Sequence, residues 1–129
     1  MNEPSSHSTK LDGGACEIIR AVSDTEVSMQ WKGSITDRNP GSLMNPPLEE
    51  AFSLGEKGSK LIHIDMGFME YMNSSAIAVI VRFIEKVKNS ENRLLITYNK
   101  EIKWQQRGFT ALEIFVTEDG RIRIQGIKR

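Results

Sequence analysis

The chain is short of several things that would reveal a chemistry. It has one cysteine, Cys16, and two histidines in 129 residues, and its 17 basic and 17 acidic side chains leave no net charge. A single thiol forms no internal disulfide and offers no paired sulfur for a metal. It reads instead as a small buried or half-buried residue in a reducing compartment. Charge balance argues against nucleic acid or an anionic membrane as partner, because both call for a clustered basic surface. There is no apolar run of about 18 residues, the length that crosses a bilayer. The polar opening residues lack the apolar core of a secretion signal. A cytoplasmic location is expected from these absences. There is also no Gly-rich phosphate loop, no zinc-ligand spacing and no Ser-His-Asp arrangement. The reading is therefore a non-enzymatic protein with no metal and no cofactor.

What the chain does contain is one domain's worth of alternating strand and helix signals. Residues 1–14, with three Ser, two Gly and Pro4 and without apolar pattern, read as a flexible leader. Residues 15–129 read as the domain. Strand-like runs at 17–21 and 26–31 flank a turn at 22–25, and Val27, Met29 and Trp31 alternate with polar neighbours. Residues 33–47, crowded with turn formers, read as a long loop, a place where compact domains often keep function. Pro46 or Pro47 opens a helix to about Leu54. Strands follow at 60–65, 93–98 and 121–127, with helices at 74–88 and 101–112. His63, alone in its strand, reads as packed or hydrogen-bonded, Asp65 and Glu70 as a polar turn, and Trp104 as a core-edge residue. The order β-β-α-β-α-β-α-β predicts an α/β domain, helices packed on a mixed sheet.

The segment 61–84 is the most informative. A buried strand leads into Asn73-Ser74-Ser75 and then an amphipathic helix. Asn73 suits the N-cap position, where its side-chain oxygen accepts a first-turn N–H. At about 100° per residue, Ile77, Ile80, Val81, Ile84 and Val87 share a core sector. Ser75, Val79, Arg82 and Lys86 fall opposite it, with Ala76 and Phe83 at the border. Ser75 is thus expected to point outward, with Ser74 nearer the core edge. A phosphate on a hydroxyl here would meet free N–H groups and the positive end of the helix dipole.

These residues resemble the STAS domain, the fold of bacterial anti-sigma factor antagonists. The likeness spans residues 15–129. The family pattern is a buried strand ending in an acidic residue, an apolar turn, then Asp-Ser-Ser/Thr-Gly opening a helix. Leu61 to Asp65, Met69 to Met72 and Asn73 to Ala76 stand in those places. Asn73 replaces the family's Asp and Ala76 its Gly. In Gly33-Ser34-Ile35-Thr36-Asp37, Thr36 stands where the family has another Asp. The resemblance implies a divergent bacterial regulator with Ser75 as phosphoacceptor and Ser74 as the second choice. It also implies a protein serine kinase of the anti-sigma type as partner and a PP2C-type phosphatase to reset the switch. The partner surface expected with it comprises Thr36, Asp37 and Arg38 of the loop, Met72 and Ala76 of the turn, and Val79, Arg82 and Phe83 of the helix. The alternative from another class is a phosphate-independent scaffold or sensory module, open to a small ligand.

Overall fold

In the central strands one parity of side chains is mostly apolar and the other mostly polar, and this alternation builds the molecule. A computed structural model describes residues 5–128. It shows an α/β domain with a six-stranded mixed sheet: β1 (Ser5–Leu11), β2 (Cys16–Val22), β3 (Glu26–Ile35), β4 (Leu61–Met72), β5 (Arg93–Asn99) and β6 (Ile122–Ile127). The strands lie in the sheet in chain order. The first three form antiparallel pairs, and β3 to β6 run parallel. Helices α1 (Gly41–Gly58), α2 (Ser74–Lys88) and α3 (Lys103–Ala111) make the three parallel crossovers, and short 3-10 segments stand at Asp12–Gly14 and Leu112–Phe115. Parallel neighbours need such crossovers because a tight turn cannot reverse the chain twice. The expected order is present, with one further strand before it.

One parity forms a single core with the helices. Val27, Met29 and Trp31 of β3, Ile62, Ile64 and Met66 of β4, and Leu94 and Ile96 of β5 pack there with Leu48, Ile80, Ile84 and Phe109. The other parity, including Ser28, Gln30, His63 and Arg123, is half-buried. His63 hydrogen-bonds Thr97 there, Nε2 to Oγ1 at 3.0 Å. It is a packed histidine of the open sheet face.

Three expectations are corrected. Of the leader expected at 1–14, residues 5–11 are strand β1, paired in full register with β2 from Ser5↔Val22 to Leu11↔Cys16. Residues 1–4 lie outside the described residues. An edge strand is held by backbone bonds and needs no apolar period, and here Leu11 joins the core. The long loop at 33–47 shrinks to residues 36–40, because α1 starts a full turn before its prolines. The Pro40 carbonyl accepts the N–H groups of Leu43 (3.0 Å) and Met44 (2.8 Å), and buried Met44 anchors that turn. Pro46 and Pro47 then sit inside the helix, leaving the Ser42 and Leu43 carbonyls without their usual donors.

The third correction concerns α2. Ala76, Val79 and Phe83, expected at its outer side or border, are buried. The wheel assumed one buried face. The helix has two, because it packs on both the sheet and α1, where Phe83 meets Phe52 edge-on with centroids 6.4 Å apart. A helix wedged between two neighbours buries a wider arc than one lying on a surface.

Candidate functional site

Because β3 and β4 are parallel neighbours, the segments that follow them emerge side by side. Loop 36–40 and the start of α2 therefore meet at the carboxyl edge of the sheet, the usual place for sites in open α/β folds. Asn73 joins them. Its backbone N–H donates to the Ile35 carbonyl at 3.2 Å. Its Oδ1 accepts the Ala76 N–H at 2.8 Å, and its Nδ2 donates to the Asp37 carbonyl at 2.9 Å. With φ −72° and ψ 169°, Asn73 is the N-cap of α2.

A second latch holds the loop from the other side. Asp12 Oδ2 accepts both the Thr36 N–H (2.8 Å) and the Thr36 hydroxyl (3.3 Å). Asp37 Oδ1 accepts the Asn39 N–H at 2.7 Å, a local turn that sets the loop's curvature. The turn carrying Asp12 lies close against β3. The Ala15 carbonyl accepts the Ser34 N–H at 2.9 Å, and a Cβ on Gly33 would stand 2.1 Å from that same oxygen. Gly33, at φ +104°, is thus required for the approach.

The serines are spare in this arrangement. Asn73 already caps the helix, and the hydroxyls of Ser74 and Ser75 are both exposed in its first turn. Of the expected partner residues, Thr36 and Arg38 are exposed beside them, Asp37 is half-buried in the latch, and Arg82 is exposed two turns along α2. Met72, Ala76, Val79 and Phe83 are buried and present no surface to a partner. They support the site from beneath. The exposed apolar groups are others: Phe68, 43% exposed, and Tyr71, 50% exposed.

Both aromatics are presented by irregularities in β4. The register with β3 jumps from Gln30↔Asp65 to Lys32↔Phe68, and again from Gly33↔Met69 to Ser34↔Tyr71. Asp65 Oδ1 takes the Gly67 N–H at 2.9 Å in the first irregularity. Bulges re-aim side chains in this way. Past Asp65, β4 has no pairing with β5. The buried side chain of Gln105 stands in for the missing strand. Its Nε2 donates to the carbonyls of Met69 (2.8 Å) and Gly67 (3.3 Å), and its Oε1 accepts the Asn99 N–H at 2.7 Å. Sequence reasoning placed Gln105 only in a polar stretch of a helix. Its role depends on where β5 stops pairing, which no local pattern carries.

Cys16 is fully buried, and burial, with Asp12 and Glu17 adding to it, pushes its thiol up to about 11. It stays protonated at neutral pH. Trp104 is half-buried at the core edge, tilted against Phe109. Among the described residues no three His, Cys, Asp or Glu side chains are placed to hold a metal ion, and no helix is long and apolar enough to cross a membrane.

Asn73→Ala is expected to lower stability by about 2 kcal/mol, one part from the cap and one from the bond to Asp37. Amide hydrogen exchange should accelerate at Ala76 and through residues 36–39 together. Faster exchange at Ala76 alone would show that the loop does not depend on the latch.

No protein-family model matches the chain, and no curated protein sequence matches it.

Proposed function

We infer that the protein is a non-enzymatic signalling regulator that binds a partner protein and is switched by reversible phosphorylation of Ser75. One observation carries this reading: Asn73 does the capping, so two exposed hydroxyls stand at the positive end of α2 with no structural duty. A cap serine would be engaged with a backbone N–H. The partner surface consists of Thr36, Arg38, Tyr71, the two serines and Arg82. In the STAS-like reading the partner is a serine kinase of the anti-sigma type, and a PP2C-type phosphatase removes the phosphate.

The switch is local. A phosphate adds about −1.5 to −2 charge at neutral pH. The start of α2 tolerates that charge, so the fold survives. A partner packed over the same spot would have to desolvate a dianion, and it is released. A loss of about tenfold in affinity corresponds to only 1.4 kcal/mol, well within such a penalty.

The test is intact and peptide mass spectrometry on protein purified from its own cells under two growth conditions. The expected result is one phosphate on Ser75 whose occupancy changes with condition. Phosphate on Ser74 alone would move the acceptor by one residue. Its complete absence with phosphatases inhibited would overturn the switch. The phosphate-independent scaffold or sensory module would then stand in its place. One observation favours that second reading. Both ends of the Asn73 side chain are engaged, to Ala76 and to Asp37, and its amide carries no charge with which to activate a hydroxyl.

A further inference from the structure

The geometry points to a second site, a cleft for a small organic phosphate at the end of the sheet opposite Ser75. It lies between the C-terminal ends of α1 and α2 and the start of β5, and holds about 700 Å3. That volume suits a small molecule. Three cations line it: Lys60, Lys86 and Arg93. Each is held by a neutral group. Lys60 Nζ donates to the Ser23 carbonyl, Arg93 donates to the Ser59 carbonyl at 2.9 Å, and Lys86 Nζ sits 4.4 Å from the Phe52 ring centroid. Among the described residues none of the three makes an ion pair. A carbonyl or a ring face fixes a cation without neutralising it. Three positive charges are thus positioned around one cavity without a direct ion pair among the described residues.

The negative groups nearby do not cancel them. Glu56 and Glu91 also line the cleft and are exposed as Lys86 and Arg93 are, so three cations face two carboxylates. The negative ends of two helix dipoles point this way as well, and donors cap part of each. The Gly55 carbonyl accepts the Lys60 N–H at 2.9 Å. The Arg121 guanidinium takes the carbonyls of Val87 (3.0 Å), Asn92 (2.9 Å) and Lys88 (3.0 Å) at the end of α2. The surplus is positive. Arg93 supplies the planar fork that matches phosphate oxygens, and the lysines act as point charges. The half-buried Phe52 ring gives the cleft an apolar wall, and this selects an organic phosphate over the inorganic ion.

A titration of the full chain with adenosine 5′-monophosphate and, separately, with inorganic phosphate tests this by backbone amide NMR. The expected result is saturable shifts at Gly55, Ser59, Asn89 and Arg93 with the nucleotide, at least about tenfold tighter than with inorganic phosphate. The amides of Ser74, Ser75 and residues 36–39 should not move. The double variant Lys86→Gln/Arg93→Gln changes two exposed side chains and should weaken nucleotide binding by about tenfold or more while lowering the melting temperature by no more than about 4–8 °C. No saturable shift up to about 10 mM nucleotide would overturn the site. So would unchanged affinity in the double variant, equal affinity for inorganic phosphate, or shifts centred on the serines. The result is independent of whether Ser75 carries phosphate.

Discussion

Replacing Gln105 by leucine destabilises the protein by about 3–5 kcal/mol in a urea titration. The reason is the number of groups one amide serves. Leucine fills a similar volume, so packing changes little. It leaves the Asn99 N–H and the carbonyls of Met69 and Gly67 without their partner. Each buried polar group left unpaired costs about 1–3 kcal/mol. The exposed neighbour provides the control: Gln106→Leu should stay within about 0.5 kcal/mol of the parent. The consequence reaches the candidate site, because the part of β4 that Gln105 supports carries Phe68, Tyr71 and then Asn73. In Gln105→Leu, amide exchange across residues 67–72 should quicken before global unfolding. A loss below about 1 kcal/mol would mean that these carbonyls find other donors, and that the β4 extension stands without α3.

Arg121→Met is expected to cost about 2–4 kcal/mol. Its guanidinium bonds three main-chain carbonyls, two in the last turn of α2 and one in the turn beyond it. Bonds from a charged donor are worth about 1.5–3 kcal/mol each, and a cation at a helix C-terminus gains about 0.3–1 kcal/mol from the dipole. The total falls short of the sum because Arg121 is only half-buried and Val87 O also accepts from Ser90. Arg121→Lys should recover less than half of the loss. One ammonium on a flexible stem does not span three carbonyls as a planar fork does. A lysine variant as stable as the parent would sink the fork argument.

The helix boundaries show where sequence rules meet their limits. The start of α2 was legible because Asn73 has a local job: its own side chain caps the helix three residues on. The start of α1 was not. Proline is favoured in the first turn, so Pro46 and Pro47 marked a beginning, yet the chain forms one more turn ahead of them because Met44 reaches the core. Packing by one distant contact outweighed a local preference. The same holds for β1, whose polar sequence carries no strand period and is ordered by its partner β2.

The candidate site divides along the same line. Asn73 and the two serines at the head of a helix were readable, and so was the meeting of the loop around Asp37 with that turn, since parallel strands bring their exits together. The outer face of α2 was misread, because a wheel knows one neighbour and the helix has two. Phe68 and Tyr71 were passed over, because only the two register shifts in β4 turn them outward.

By itself the sequence determined the α/β class, the order of the main strands and helices, the cap at Asn73 and a lone, inert thiol at Cys16. All of these follow from period, capping and composition, which act over a few neighbouring residues. The tertiary structure alone decided that β1 joins the sheet, that Gln105 replaces a strand, that Asp12 and Asn73 latch the same loop, and that three cations line one cleft. Those depend on contacts between separate elements, several of them between residues 24 to 38 positions apart, such as Asp12 with Thr36, Asn73 with Asp37 and Gln105 with Gly67. The energy of such contacts is set by burial and geometry that exist only once the sheet has formed.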